Sequence, residues 1–439
     1  MICYIGRYRA DNIYSINTGE GVDEMNFFMQ KGKHYRVSLL QCRYRSAKIW
    51  YKMVGVALCI ALLFTNMAGV LAMERKDISA PVTYSLSDDG KTLTFSGSGK
   101  IGTDVIQALW TNDREKLGNI ENVVIGEGIT EISGYRDSSS FLYSDSKVKI
   151  TIEGRGSFRF AKYACKGLEV SLMANERDGI EIGNSAFESA TLNEFPVDKI
   201  TSIGNKGLSW ATLPLTGETL SLHLKGIADS DYSLGSNALN SCKNRQGEVL
   251  KAVDITISGA VSLGVPRAHG DNVFGNSFAS AAFHLVDDAR LTLNTGFGGQ
   301  SKLESLIFTG KGKVYFQPAN ATDNIHGNFT DNNYGNPLDK AIKLKTMNFT
   351  DFSGEIQFAN NMFNQSTSRP TYDYDKPLLE EILLGENCHV TRIGPNAFNF
   401  CEQLKTFDFS KVQGPIGERA FQLTKLSGTA ELSGVTAIG

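Results

Sequence analysis

Residues 389–409 read "HVTRIGPNAFNFCEQLKTFDF", and the spacing of the apolar residues in this stretch decides the fold. Val390 and Ile393 lie in a short extended phrase that ends at Gly394. Phe398 closes a compact turn, and Leu404, Phe407 and Phe409 begin a second apolar pattern. Nothing here is arranged for chemistry. The phrase itself is the structural unit.

It recurs along the chain. The tetrapeptide [IV]-T-x-I followed by Gly or Ser appears as "ITEIS" at 129, "ITSIG" at 200, "VTRIG" at 390 and "VTAIG" at 435. A small cluster ending in a bulky apolar residue follows: "GNSAF" (183–187), "GSNAL" (235–239), "GPNAF" (394–398) and "GERAF" (417–421). An apolar residue, two others, then Φ-x-Φ (Φ apolar) fits "IENVVI" (120–125), "LNEFPV" (192–197), "LESLIF" (303–308), "LKTMNF" (344–349), "LEEILL" (379–384) and "LKTFDF" (404–409). Cluster glycines lie 21 residues apart from Gly183 to Gly204 and 23 apart from Gly394 to Gly417. Between them the gaps widen to 31 (Gly204 to Gly235) and 40 (Gly235 to Gly275). A base period of 21–23 residues with insertions marks a stacked repeat, since one unit cannot bury its apolar face alone.

Each part then has a physical role. The two apolar residues closing each L-x-x-Φ-x-Φ phrase are two apart, so both point inward from one strand. Strands of successive coils pair in parallel. The Gly permits a tight bend after the strand-like "VTRI", and the "NAF" segment returns as a helical or 3-10 turn. Phe187, Phe398 and Phe421 are thereby predicted core residues. Cys165, Cys242 and Cys401 each follow such a turn and are expected to form an internal column of buried thiols.

"VTRIGPNAFNFCEQLKTFDFS" resembles the BspA-type leucine-rich repeat of bacterial surface proteins, whose units run V-T-x-I-G-x-x-A-F-x-x-C-x-x-L. "YSLSDDGKTLTFSGSG" (84–99) with "IENVVIGEGITEI" (120–132) resembles the segment that often precedes such repeats. The likeness is close at 117–133, 180–208 and 379–439 and degenerate from about 210 to 375, where insertions dominate. It implies a β-rich α/β repeat solenoid: a right-handed leucine-rich-repeat superhelix with a parallel sheet and short helical or 3-10 return turns. It also implies display outside the cell and a role in adhesion or recognition, with no catalytic residues.

The N-terminus reads as a leader. Met53 to Ala72 carry no charge, and residues 31–52 hold seven Lys/Arg and no acid. A basic segment, an apolar run and a small-residue exit make a secretory signal peptide; an uncleaved membrane helix is the alternative. Residues 1–72 are therefore a leader, with Met25 a second candidate start. Residues 73–80 are a linker, 81–118 a small cap built on a hairpin around Asp89-Gly90, and 119–439 the solenoid. The phrase "LSGVTAIG" at the end stops mid-unit, which suggests a C-terminally incomplete solenoid.

The leader holds nine of the 44 basic and four of the 47 acidic residues, leaving 35 and 43 and a net charge of −8. That excludes a nucleic-acid partner, because such binding rests on cationic neutralisation of phosphates. "GSGKIGT" (97–103) lacks the Ser or Thr that a phosphate loop needs after Lys100 and continues a strand. "GKGK" (310–313) reads as a Gly-rich turn. No H-E-x-x-H and no Cys/His cluster occurs, so no catalytic, cofactor or metal set is expected.

The strand pattern also identifies the outward face. Val124, Ile307 and Leu383 are predicted to point out, where a soluble strand is normally polar. The insertion "STSRPTYDYDKP" (366–377) adds Arg369, Tyr372 and Tyr374, residue types favoured at binding hot spots. The sequence thus predicts an exported, non-catalytic cell-surface protein with a protein or glycan partner. A carbohydrate-active enzyme on a β solenoid and a structural envelope component are the alternatives.

Overall fold

The computed structural model describes residues 4–7, 14–17, 25–27 and 81–439, except 137, 227–232, 265–272, 276, 295–301, 317–336, 339–340 and 364–375. The chain divides into two compact units, Met1–Ile78 and Ser79–Gly439. In the first, strands Tyr4–Arg7, Tyr14–Asn17 and Met25–Phe27 form an antiparallel meander. The uncharged run 53–72 lies outside the described residues. Among those, no helix is long and apolar enough to cross a membrane.

The second unit is a stack of coils. Strands Thr92–Ser96, Asn122–Ile125, Lys147–Ile152, Glu169–Met173 and Thr191–Glu194 pair in parallel as a first sheet. Of these only Asn122–Ile125 carries the full L-x-x-Φ-x-Φ phrase. Thr92–Ser96, Lys147–Ile152 and Glu169–Met173 lack its leading apolar residue, and in "LNEFPV" the strand ends at Glu194, before Phe195 and Val197. Alternation sets their faces: Val123 and Ile125 are buried, while Asn122 and Val124 are half-buried on the outside. The V-T-x-I phrase forms more than a lead into a bend. Its copies Ile129–Ile132 and Ile200–Ile203 join Gly99–Ile101, Ser157–Phe160 and Gly179–Ile182 in a second parallel sheet. Its inward column runs through Ile132, Phe160, Ile182, Ile203, Leu234, Leu263, Leu293 and Phe316 as successive partners. Phe358, Ile393 and Ile416 continue it, and the exposed Ile438 pairs with Ile416.

In the middle of the chain the two sheets share strands. Ala252–Leu263, Ser280–Leu293 and Ser305–Phe316 each run through both and bend at the corner between them. "GKGK" sits inside the last of these strands, correcting its reading as a turn. Gly310 and Gly312 take φ of +82° and +159°, and a Cβ on either would collide with a carbonyl of the preceding coil, Leu285 O or Ala289 O. Only glycine permits that approach.

The return turns differ from a regular 3-10 helix. Three-residue bonds run from Ala186 N to Gly183 O and from Glu188 N to Ser185 O, as 3-10 geometry requires. The intervening amides bond outward to the next coil: Ser185 N to Asn205 O, Phe187 N to Gly207 O and Ser189 N to Ser209 O. Ser185 and Ser189 accordingly take positive φ, as do Lys206 and Trp210, Asn237 and Ser241, and Asn396 and Phe400. Alternation lets a tight turn satisfy its own carbonyls and its neighbour's at once, so no buried amide is stranded.

The cluster glycines serve contact rather than turn conformation. Gly204, Gly235, Gly394 and Gly417 have no positive φ. A Cβ on Gly394 would lie 2.5 Å from Asn360 N, and one on Gly417 2.3 Å from Pro395 N. Their column is where one coil's backbone rests on the next.

The side-chain columns follow from this stacking. Phe187 and Phe398 are fully buried, whereas Phe421 is only partly so, packed on Phe398 at a ring separation of 5.3 Å. Cys242 and Cys401 each donate a backbone amide to the residue at the Phe place, Leu239 or Phe398. Cys165 instead occupies the Phe place itself, accepting from Leu168 and donating to Ala186. The expected three-thiol column therefore does not form, because the alignment on Cys165 was three residues out. All three thiols, with Cys388, are buried and unbridged.

At the N-terminal end, hairpin Thr83–Leu86/Thr92–Ser96 enters the first sheet through its second strand. The cap also contains a helix, Thr103–Asn112, where the sequence reading had only β structure. Ile106 and Leu109, three apart, are its buried residues; so short an amphipathic run is easily missed between strands.

Two substitutions check the stacking. Gly394→Ala should destabilise by about 1–3 kcal/mol through overpacking, while Gly118→Ala, with nothing within 4 Å of its Cβ, should leave the melting temperature unchanged. Phe398→Ala should cost about 3–5 kcal/mol in urea denaturation.

Candidate functional site: the outer faces of the two sheets

Where a solenoid closes its interior, recognition falls to its outer faces. On the first sheet Ser305, Thr346 and Glu381 form one outward row, and Ile307, Asn348 and Leu383 the next. Ile307 and Leu383 thus share a row, both half-buried, with Asn348 between them. Val124 stands apart on the N-terminal strands, between Thr94 and Thr151. Leu383 borders a shallow hollow of about 390 Å³ with Thr406, Phe407 and Asp408. Arg369, Tyr372 and Tyr374 lie outside the described residues.

The edge of the first sheet carries an ordered charge column. The residues just before successive strands are Glu218, Lys251, Ala279, Glu304, Lys345, Glu380 and Lys405, each amide bonding to the carbonyl of the one before. Opposite charges meet at 2.5 Å (Lys251–Glu218), 3.0 Å (Lys345–Glu304) and 3.4 Å (Lys405–Glu380). Exposed pairs of this kind add little stability. Their alternation keeps like charges from facing one another across neighbouring strands.

The second sheet carries a polar cluster that the sequence reading missed. Arg290, Lys313, Glu355 and His389 are successive partners, as are Thr292, Tyr315, Gln357 and Arg392. Glu355 is held by Lys313 Nζ at 3.2 Å, Gln357 Nε2 at 2.8 Å and Thr391 Oγ1 at 2.9 Å. Burial pushes its carboxyl up, but the bonds from Thr391, Gln357 and Lys313 outweigh burial and hold it below the ordinary carboxylate value. Burial, then the charge of Glu355, raises the Tyr315 phenol. The signal was available: "ARLTL", "KVYF" and "EIQF" alternate polar and apolar residues, but insertions hid their register.

Other candidates resolve into structure. "GSGKIGT" does open a helix, contrary to the sequence reading: strand Gly99–Ile101 leads into Thr103–Asn112 with Gly102 as N-cap. Yet acidic Asp104 lies in the first turn and Lys100 pairs with Glu131 at 3.2 Å, an unfavourable setting for phosphate. Trp110 stacks on Tyr135 at 4.5 Å, and Arg136 covers the Tyr135 ring at 4.7 Å, so these aromatics use their faces to fasten the cap helix to the first coils. Arg177 is buried and donates to Arg155 O and Ile129 O at 2.8 and 2.9 Å, binding neighbouring coils together. Among the described residues, no group of three His, Cys, Asp or Glu is placed to hold a metal.

Comparison with known proteins agrees with the repeat. Residues 344–439 match the family model of the BspA type Leucine rich repeat region in six copies. The chain is similar to a leucine-rich repeat protein from Eubacterium ventriosum ATCC 27560 at 13% identity and a TM-score of 0.26, over 80% of this chain and 95% of that one. It is also similar to a leucine-rich repeat protein from Bacteroides ovatus ATCC 8483 at 15% identity and a TM-score of 0.25, over 83% of this chain and 100% of that one. No curated protein matches the sequence.

Glu355 supplies a pH test. Because its folded pKa is lowered from 4.5, its contribution is present above that value and is lost as pH falls through the folded pKa. Glu355→Gln should lower the melting temperature at pH 7, and its deficit relative to the parent should shrink through the acid range.

Proposed function

The chain carries a BspA-type leucine-rich repeat region, and from that premise we propose that it is an exported surface protein whose coils present a binding surface for a protein or glycan partner. One observation carries the reading. On the outer face of the first sheet Ile307 and Leu383 stand in one row on either side of Asn348, apolar side chains where a soluble strand is normally polar. The sequence insertion 366–377 adds Arg369, Tyr372 and Tyr374, residue types favoured at binding hot spots.

The outward rows favour binding over catalysis. A glycan-cleaving site needs two carboxylates facing a common bond, and the row Ser305, Thr346, Glu381 and the row Ile307, Asn348, Leu383 supply one between them. Screening the purified chain against matrix proteins, mucins and glycans tests the proposal. The Tyr372→Ala/Tyr374→Ala double variant should lose the captured partner at an unchanged melting temperature. Equal binding by that variant would clear the insertion of the role, and turnover of a glycan by the wild-type chain would replace binding with catalysis.

A further inference from the structure

The outer face of the second sheet treats charge in two ways. Near its N-terminal end, outward positions alternate in sign on neighbouring strands: Lys100, Glu131, Arg159, Glu181. Lys100 and Arg159 both reach Glu131, at 3.2 and 3.9 Å. The column along the first sheet alternates in the same way. In these columns facing charges are opposite in sign.

The strands Ser280–Leu293 and Ser305–Phe316 break that rule. Arg290 and Lys313 are direct cross-strand partners, and both are exposed. Like charges in that relation destabilise a sheet. Lys313 is compensated by Glu355 on its far side. The other neighbour of Arg290 is Ala260, and among the described residues Arg290 has no ion pair. Beside a like charge and without an ion pair, Arg290 is open to an external anion.

The surroundings indicate what kind of anion. The adjacent outward row presents Ser262, Thr292, Tyr315 and Gln357 in register, hydroxyl and amide groups on a nearly flat face. Tyr315 is half-buried, so part of its ring remains available to an apolar sugar face. The two strands that carry Arg290 and Lys313 are paired on both sides, so no backbone edge is free for a peptide to join as an added strand.

We propose that this face, centred on Arg290, Lys313 and Tyr315, binds the acidic groups of an anionic polysaccharide, carboxylated or sulfated. The site deepens the interaction reading above and rests on it, naming a ligand class and a place away from the insertion tyrosines. Arg290 makes the ion contact, Lys313 shares it while anchored by Glu355, and Thr292 and Gln357 meet sugar hydroxyls.

The test uses the full chain with polygalacturonate, heparin and poly-L-glutamate as probes at low and physiological salt. Binding to polygalacturonate or heparin should weaken with salt, as an exposed charge contact must, and the stronger of the two identifies carboxylate or sulfate. Arg290→Gln should weaken binding about tenfold, the loss of one charge-assisted contact, while its melting temperature holds or rises as the repulsion from Lys313 is relieved. A merely structural arginine would give the opposite thermal result. Lys313→Gln should weaken binding and lower the melting temperature, because Glu355 loses its cation. Lys345→Gln, in the register column, should leave binding unchanged.

Binding by Arg290→Gln equal to wild type, or poly-L-glutamate bound as tightly as either polysaccharide, overturns the proposal. Absence of wild-type binding to both polysaccharides does so too. The Tyr372→Ala/Tyr374→Ala variant separates this failure from failure of the wider reading. If that variant loses its partner while Arg290→Gln binds normally, only the site on the second sheet is wrong.

Discussion

Every feature of this protein is subordinate to one distance, the spacing between paired parallel strands of about 4.8 Å. The backbone meets itself at that pitch on both sheets and again in the return turns, where every other amide bonds to the next coil. Three hydrogen-bonded ladders at one pitch leave no slack between coils. Gly394 and Gly417 follow from this, since a methyl group at either would fall within 2.5 Å of a backbone nitrogen of the preceding coil. Positive φ at Asn396 and Phe400 follows as well, because only that alternation aims amides both along the turn and across to the neighbour.

The same constraint explains which parts of the fold could be read from the sequence. A strict pitch demands the same inward residues at each level, so Phe187, Phe398 and the Φ-x-Φ pairs announce themselves by repetition. The second sheet was harder to see, because "VTRI" has its inward residues Val390 and Ile393 three apart across a register irregularity, and the two-residue period of a strand is lost there. The long strands from Ala252 to Phe316 were hidden by insertions that displaced the period. Cys165 misled by composition: a thiol stands where other coils have Phe or Leu, and no pattern of residue types distinguishes that from a thiol column.

The site was less legible than the fold for a related reason. Inward positions answer to packing and repeat, whereas outward ones answer only to their neighbours in three dimensions. Arg290 and Lys313 lie 23 residues apart in sequence, yet are adjacent across two strands. Nothing marks them until register is known. Val124, Ile307 and Leu383 could be assigned outward by alternation alone, but that Ile307 and Leu383 share a row while Val124 does not required the pairing.

A stack held this tightly also separates stability from recognition. The energy of the fold resides in Phe308, Phe349 and Phe358 and their neighbours, whose rings pass contact from coil to coil, with Phe308 and Phe349 stacked at 4.4 Å. Outward side chains contribute little to that core, so they can change without unfolding it. The alternating Glu and Lys column uses part of this freedom to pair opposite charges on neighbouring strands. Arg290 uses it differently, since it faces Lys313 across the strands and has no ion pair among the described residues. Such a residue lies outside the buried columns that hold the stack, so its repulsion from Lys313 acts on the surface and leaves the packing of Phe308, Phe349 and Phe358 untouched.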